Sequence, residues 1–119
     1  NVRVMNHDAC EILENMIDDS SLAGFHIFFP DPWQKKKHNK RRLINSSFAS
    51  FMVRKLKAGG YVYTVTDWAD YAEQMHTVLE GEPGLVKAAG AAPWRPVTKF
   101  ETKGVAKGRE IREFFYSLA

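Results

Sequence analysis

The chain has 119 residues, enough for one compact domain and too few for two ordinary ones, and its hydrophobic content of 45% excludes a basic disordered tail. Formal net charge is +3, yet Lys35, Lys36, Lys37, Lys40, Arg41 and Arg42 place six positive charges within eight residues. The other 11 Lys and Arg face 14 Asp and Glu, so an acidic body carries one concentrated positive patch that would focus a polyanion onto one place.

Every apolar stretch is broken well before the roughly 20 residues of a spanning helix, and nothing resembles a signal peptide. A cytoplasmic setting with no membrane partner is therefore expected. The single cysteine, Cys10, has no partner for an internal disulfide. His7, His26, His38 and His76 lack metal-ligand spacing, so no metal site is expected.

In chain order, Val2, Val4 and Met5 predict a strand ending near Asn6, His7 and Asp8. Ala9 to Ile17 reads as a helix, because Ala9, Ile12, Leu13, Met16 and Ile17 recur at spacings of three and four. The run Phe25 to Phe29, between Gly24 and Pro30, is continuous rather than alternating, which predicts a short strand buried on both faces in a parallel sheet. Phe48, Phe51, Met52 and Leu56 form a helical stripe that Gly59 and Gly60 are expected to close. Tyr61 to Thr66 is rich in β-branched and aromatic residues and predicts a strand, followed by a helix marked by Ala72, Met75 and Leu79. Residues 81–96 read as a loop or weak element. The tail from Arg109 to Tyr116 reads as a strand, with a terminal helix as the other possibility. Alternating strands and helices predict an α/β fold whose sites lie outside the carboxyl ends of the strands.

That reading puts Asp8, Asp31 and Asp67 just after three successive strands, on one edge of the sheet. Each alone has a bland alternative as a helix N-cap. Asp31 is the sharpest: Pro30 and Pro32 restrict its backbone, so its carboxylate would be held out at the rim with little entropy left to lose on binding a ligand. Trp33 beside it either stacks on a base or simply seals the sheet edge. The basic run is either a solvated face or a grip on phosphates, which lysines would hold as point charges and arginines as forks.

The segment FFPDPWQKKKHNKRRL, Phe28 to Leu43, resembles the signature of the bacterial tRNA (guanine-N7-)-methyltransferases. VTDWADYAEQM (Val65 to Met75), RPVTKFETKG (Arg95 to Gly104) and RVMNHDA (Arg3 to Ala9) resemble other blocks of that family. The resemblance implies the C-terminal portion of a Rossmann-like class I methyltransferase dependent on S-adenosylmethionine, acting on N7 of a guanine in the tRNA variable loop. It implies cofactor contacts from Asp8 and Asp31, with Asp31 in the catalytic centre. Lys35 and Asp67 would contact substrate, and Lys37, His38, Asn39, Lys40, Arg41 and Arg42 would hold RNA, making residues 35–42 the basic RNA-binding segment. Thr98, Lys99, Phe100 and Glu101 would complete the substrate surface.

Residues 1–119 lack the glycine-rich first loop of such enzymes, so they are expected to form an incomplete methyltransferase domain. If Val2 to Met5 is the third strand of the usual order, two strands would normally stand between it and the strand at Phe25, and a gap in the sheet is expected there. The alternative reading is a noncatalytic tRNA-binding or assembly module. The tail, Gly108 to Tyr116, departs from the family pattern, and monomer and homodimer are both open.

Overall fold

The computed structural model describes residues 2–3, 17–90, 92 and 108–119; for Val2 and Arg3 it describes the backbone alone. Among the described residues, five strands form one mixed sheet: β1 (Val2–Arg3), β2 (Leu22–Phe28), β3 (Leu56–Thr66), β4 (Leu85–Lys87) and β5 (Arg112–Leu118), in the order β1-β2-β3-β5-β4. The helices among the described residues are α1 (Ser46–Lys55) and α2 (Ala69–Gly81), with a short 3-10 helix at Lys36–Arg41.

The expected parallel sheet is present from β1 to β3, with Gly24 opposite Tyr61 and Phe28 opposite Val65. β5 then runs antiparallel to both β3 and β4. The expected gap between the first strand and the strand at Phe25 is not left open. Val2 pairs directly with Phe25, and Arg3 with His26, so two residues of β1 occupy that edge of β2. The predicted helix Ala9 to Ile17 lies, apart from Ile17, outside the described residues.

Alternation along the strands sorts side chains to two faces. Phe25 and Ile27 of β2, Val62 of β3 and Tyr116 of β5 join Phe48, Phe51 and Met52 of α1 and Tyr71, Met75 and Leu79 of α2 in the core. Burying side chains of this size stabilises the fold by roughly 1.5–3 kcal/mol each. On the opposite face His26, Phe28, Tyr61, Tyr63 and Phe115 meet ring to ring, with centroids 5.2–6.0 Å apart. Val62 to Asp67 are all buried, as a central strand requires.

Two details of the predicted elements change. Helix α1 stops at Lys55, and Leu56 already begins β3, so Gly59 and Gly60 do not close the helix. They lie inside β3, where the pairing slips between Leu22↔Leu56 and Gly24↔Tyr61, and Gly59 adopts φ +80°. A helix stop and a strand irregularity both favour glycine, so composition alone does not separate them. The stretch 81–96, expected to be loop or weak element, contains the three-residue strand β4. The tail is a strand, as the first of its two readings expects.

Candidate functional site

Because β2 and β3 are parallel, their carboxyl ends reach the same edge of the sheet, and the amide of Phe29 carries the ladder one residue further by donating to the Val65 carbonyl at 2.7 Å. β5 is antiparallel and starts at Arg112 opposite Thr66, so its approach, Gly108 to Ile111, arrives at this edge too. Asp31, Asp67 and Arg109 are thereby gathered from positions far apart in the chain.

The Asp31 turn is held in an uncommon backbone conformation. Phe29 and Trp33, on either side of Pro-Asp-Pro, have φ of +52° and +44°, the left-handed region that non-glycine residues rarely enter. Such residues cost on the order of 1–3 kcal/mol each and persist where surrounding contacts over-determine them. One contact is internal: the Trp33 amide donates to Asp31 Oδ1 at 3.0 Å, closing an Asx turn. Asp31 itself is exposed. It caps no helix, since the N-cap of the 3-10 segment is Lys35.

The basic run forms the 3-10 helix, with the His38 amide donating to the Lys35 carbonyl at 2.8 Å and the Arg42 amide to that of Asn39 at 3.1 Å. Residues three apart eclipse in this geometry. His38 and Arg41 accordingly share a face, and both meet Trp33: the Arg41 guanidinium carbon lies 5.2 Å from the indole centroid and the His38 ring stands edge-on at 6.0 Å. Lys35, Lys36, Lys37, Lys40 and Arg41 are exposed, while His38 and Asn39 are half-buried. The Asn39 side-chain oxygen is buried without a hydrogen-bond partner.

Arg42 is placed differently from the five exposed cations. It is 2% exposed, and its guanidinium is spent inside the protein. Nε donates to the Pro32 carbonyl at 2.6 Å, and the two terminal nitrogens donate to Gln74 Oε1 at 2.9 Å and Asp70 Oδ2 at 2.8 Å. The group also lies 5.0 Å from the Tyr71 ring centroid.

Asp67 is buried at the end of β3, and its Oδ2 accepts from Arg109 at 3.0 Å. The Arg109 guanidinium also covers the Trp68 ring at 5.7 Å. The bland alternative for Asp67, a helix cap, does not describe it: the N-cap of α2 is Trp68, whose amide donates instead to Thr66 Oγ1 at 3.2 Å. A surface cavity of about 450 Å³ beside the pair is lined by Asp67, Trp68, Asp70, Arg109 and Arg112, among others. Arg109 and the α2 partners of Arg42 are the residues that sequence reasoning missed. The departure of the tail from the family pattern marked Arg109 as unusual without indicating what it would meet.

Asp8, Thr98, Lys99, Phe100 and Glu101 lie outside the described residues. Of the two residues expected to hold S-adenosylmethionine, the described residues therefore include only Asp31, an exposed carboxylate suited to donor groups of a ligand at the strand ends.

A family model described as "Putative methyltransferase" matches residues 1–114. The chain belongs to this methyltransferase family. Its α/β architecture is that of the Rossmann-like class I methyltransferases, enzymes whose methyl donor is S-adenosylmethionine. A tRNA (guanine-N(7)-)-methyltransferase of Xanthomonas axonopodis pv. citri (strain 306) is 51% identical over 121 residues, covering 97% of this chain and 46% of that protein. One of Chromobacterium violaceum is 50% identical, covering 98% of the chain and 53% of that protein. One of Paracidovorax citrulli (strain AAC00-1) is 48% identical, covering 98% and 48%. The chain spans about half the length of the curated relatives it matches.

Proposed function

We propose that the complete protein carrying this chain transfers a methyl group to N7 of a guanine in the tRNA variable loop, and that this chain supplies the RNA-facing side of the site. The observation that carries the reading is the exposed Asp31 carboxylate, held in a strained turn at the sheet edge, with five exposed cations between Lys35 and Arg41 just after it. S-adenosylmethionine supplies the electrophilic methyl when bound, with Asp8 and Asp31 as its contacts from this chain. A cytoplasmic location fits both this substrate and the lack, among the described residues, of any helix long and apolar enough to cross a membrane.

Guanine N7 presents an in-plane lone pair and carries no proton, so the chain needs no general base for this transfer. Its contribution is orientation and electrostatics. Asp31 accepts hydrogen bonds from the guanine N1–H or N2–H edge and favours the positive charge that develops on the purine. Lys35 contacts the substrate beside it, together with Thr98, Lys99, Phe100 and Glu101, while Asp67, buried against Arg109, meets it where it lines the cavity beside that pair. Lys37, His38, Asn39, Lys40 and Arg41 hold the RNA backbone without reading sequence.

The test is to incubate unmodified tRNA with the complete protein and methyl-labelled S-adenosylmethionine, then map the label. N7-methylguanine in the variable loop is expected, and a product without it defeats the reading. A noncatalytic tRNA-binding module would instead retain tRNA with a steep salt dependence and transfer no label.

A further inference from the structure

We infer that Arg42 is a positioning residue: it sets the Asp31 turn against α2 and takes no part in the grip on RNA. The inference rests on the methyl-transfer reading above and deepens it, because it removes one of the six clustered cations from the RNA surface and assigns it to the geometry of the site.

The first ground is accessibility. The Arg42 side chain is 1% exposed, whereas Lys35, Lys36, Lys37, Lys40 and Arg41 all face solvent. A phosphate would reach this guanidinium only by dismantling the contacts around it. Those contacts satisfy the planar fork from three directions, with its central carbon 5.0 Å from the Tyr71 ring centroid. Such an arrangement fits a guanidinium and not the compact ammonium of lysine.

The second ground is what the fork connects. Its Nε holds the carbonyl of Pro32, the residue immediately after Asp31. Its other two bonds go to Asp70 and Gln74 on α2, the helix that starts two residues after Asp67. The same helix also binds both backbone groups of Ile44: the amide donates to Tyr71 Oη at 2.9 Å, and the carbonyl accepts from Gln74 Nε2 at 2.8 Å. Arg42 thus ties the turn bearing one strand-end carboxylate to the helix that follows the other. A loose connection would let Asp31 drift, and a misplacement of about 1 Å in a reacting arrangement costs on the order of 100-fold in rate.

Arg42→Lys and Arg41→Gln in the complete protein separate the two roles. For each variant, kcat and KM for tRNA are measured, together with equilibrium tRNA affinity across a range of salt concentrations. Arg42→Lys is expected to lower kcat by roughly 30- to 100-fold while the tRNA Kd and its salt slope stay at wild-type values. Arg41→Gln is expected to weaken binding and flatten the slope of log K against log salt by about 0.7–0.9. A comparable flattening in Arg42→Lys overturns the inference, and so does a wild-type kcat. Should Arg42→Lys fail to fold, Asp70→Asn keeps the arginine and weakens one bond. It is expected to lower kcat by a smaller factor at unchanged Kd, and an unchanged kcat there also overturns the assignment. If the wild-type protein transfers no methyl group, the proposed function fails by itself. The salt slopes then still decide whether Arg42 grips RNA.

Discussion

Asp31 and Asp67 end neighbouring parallel strands, yet the fold uses them in opposite ways. Asp31 is exposed, in a strained turn held by the Trp33 amide on its carboxylate and by Arg42 on the Pro32 carbonyl. Asp67 is buried and committed to an arginine 42 residues later in the chain. Position at the end of a strand therefore does not define a role; what the neighbouring turn leaves open does. At Asp31 the turn takes one carboxylate oxygen with the Trp33 amide and leaves the residue exposed, while at Asp67 the approach to β5 brings Arg109 onto the carboxylate.

The largest effect that would sharpen this contrast is expected at Asp31. Asp31→Ala in the complete protein should reduce methyl transfer by at least about 100-fold while leaving tRNA affinity largely intact, as measured by single-turnover kinetics and equilibrium binding. Near-normal turnover would erase the distinction. Next is the basic segment. Replacing Lys36, Lys40 and Arg41 together by Gln should flatten the salt slope by about 2–3, and an unchanged slope would return these residues to an ordinary solvated surface.

Arg109→Ala tests the other member of the comparison. It leaves the Asp67 carboxylate buried without its ion partner, so chemical denaturation should report a loss of about 1–3 kcal/mol. Stability equal to wild type would show that Asp67 relaxes into solvent and is not committed after all.

The smallest effect concerns Tyr71, the floor under Arg42. Burial, more than any other influence, pushes its hydroxyl from 10.0 up to about 12. The folded state therefore keeps a proton that the unfolded chain releases near pH 10. The resulting stability is complete below pH 10 and is lost as pH rises through about 12. Tyr71→Phe should flatten this alkaline loss in a pH-dependent denaturation series. At neutral pH it should cost about 1 kcal/mol, because the Ile44 amide loses its acceptor.

Much of the fold is legible where one local signal dominates. The apolar run at Phe25 declares a strand by its composition and its flanking Gly24 and Pro30, and the stripes Phe48–Met52 and Ala72–Leu79 declare helices by periodicity, which follows from which face must be buried. The edge shared by Asp31 and Asp67 follows from the alternation of strands and helices. What escapes the sequence depends on distant partners. Nothing local distinguishes Arg42 from Arg41, since their difference comes from Asp70, Tyr71 and Gln74 some 30 residues away. β4 is only three residues long and gains its strand character by pairing with β5. The left-handed backbone at Phe29 and Trp33 is likewise invisible to the proline rules, which restrict the turn without specifying that conformation.

The position of β5 between β3 and β4 also bears on how the molecule is made. Within the sheet, β4 pairs with β5, whose first residue, Arg112, follows Lys87 by 25 positions. On the ribosome β4 must therefore wait, unpaired, until β5 has emerged and slid into place beside β3. Closing so distant a pairing is slow, and the waiting edge is open to aggregation. Truncations reaching into Arg112–Leu118 are thus expected to give insoluble nascent chains rather than a smaller version of the same fold.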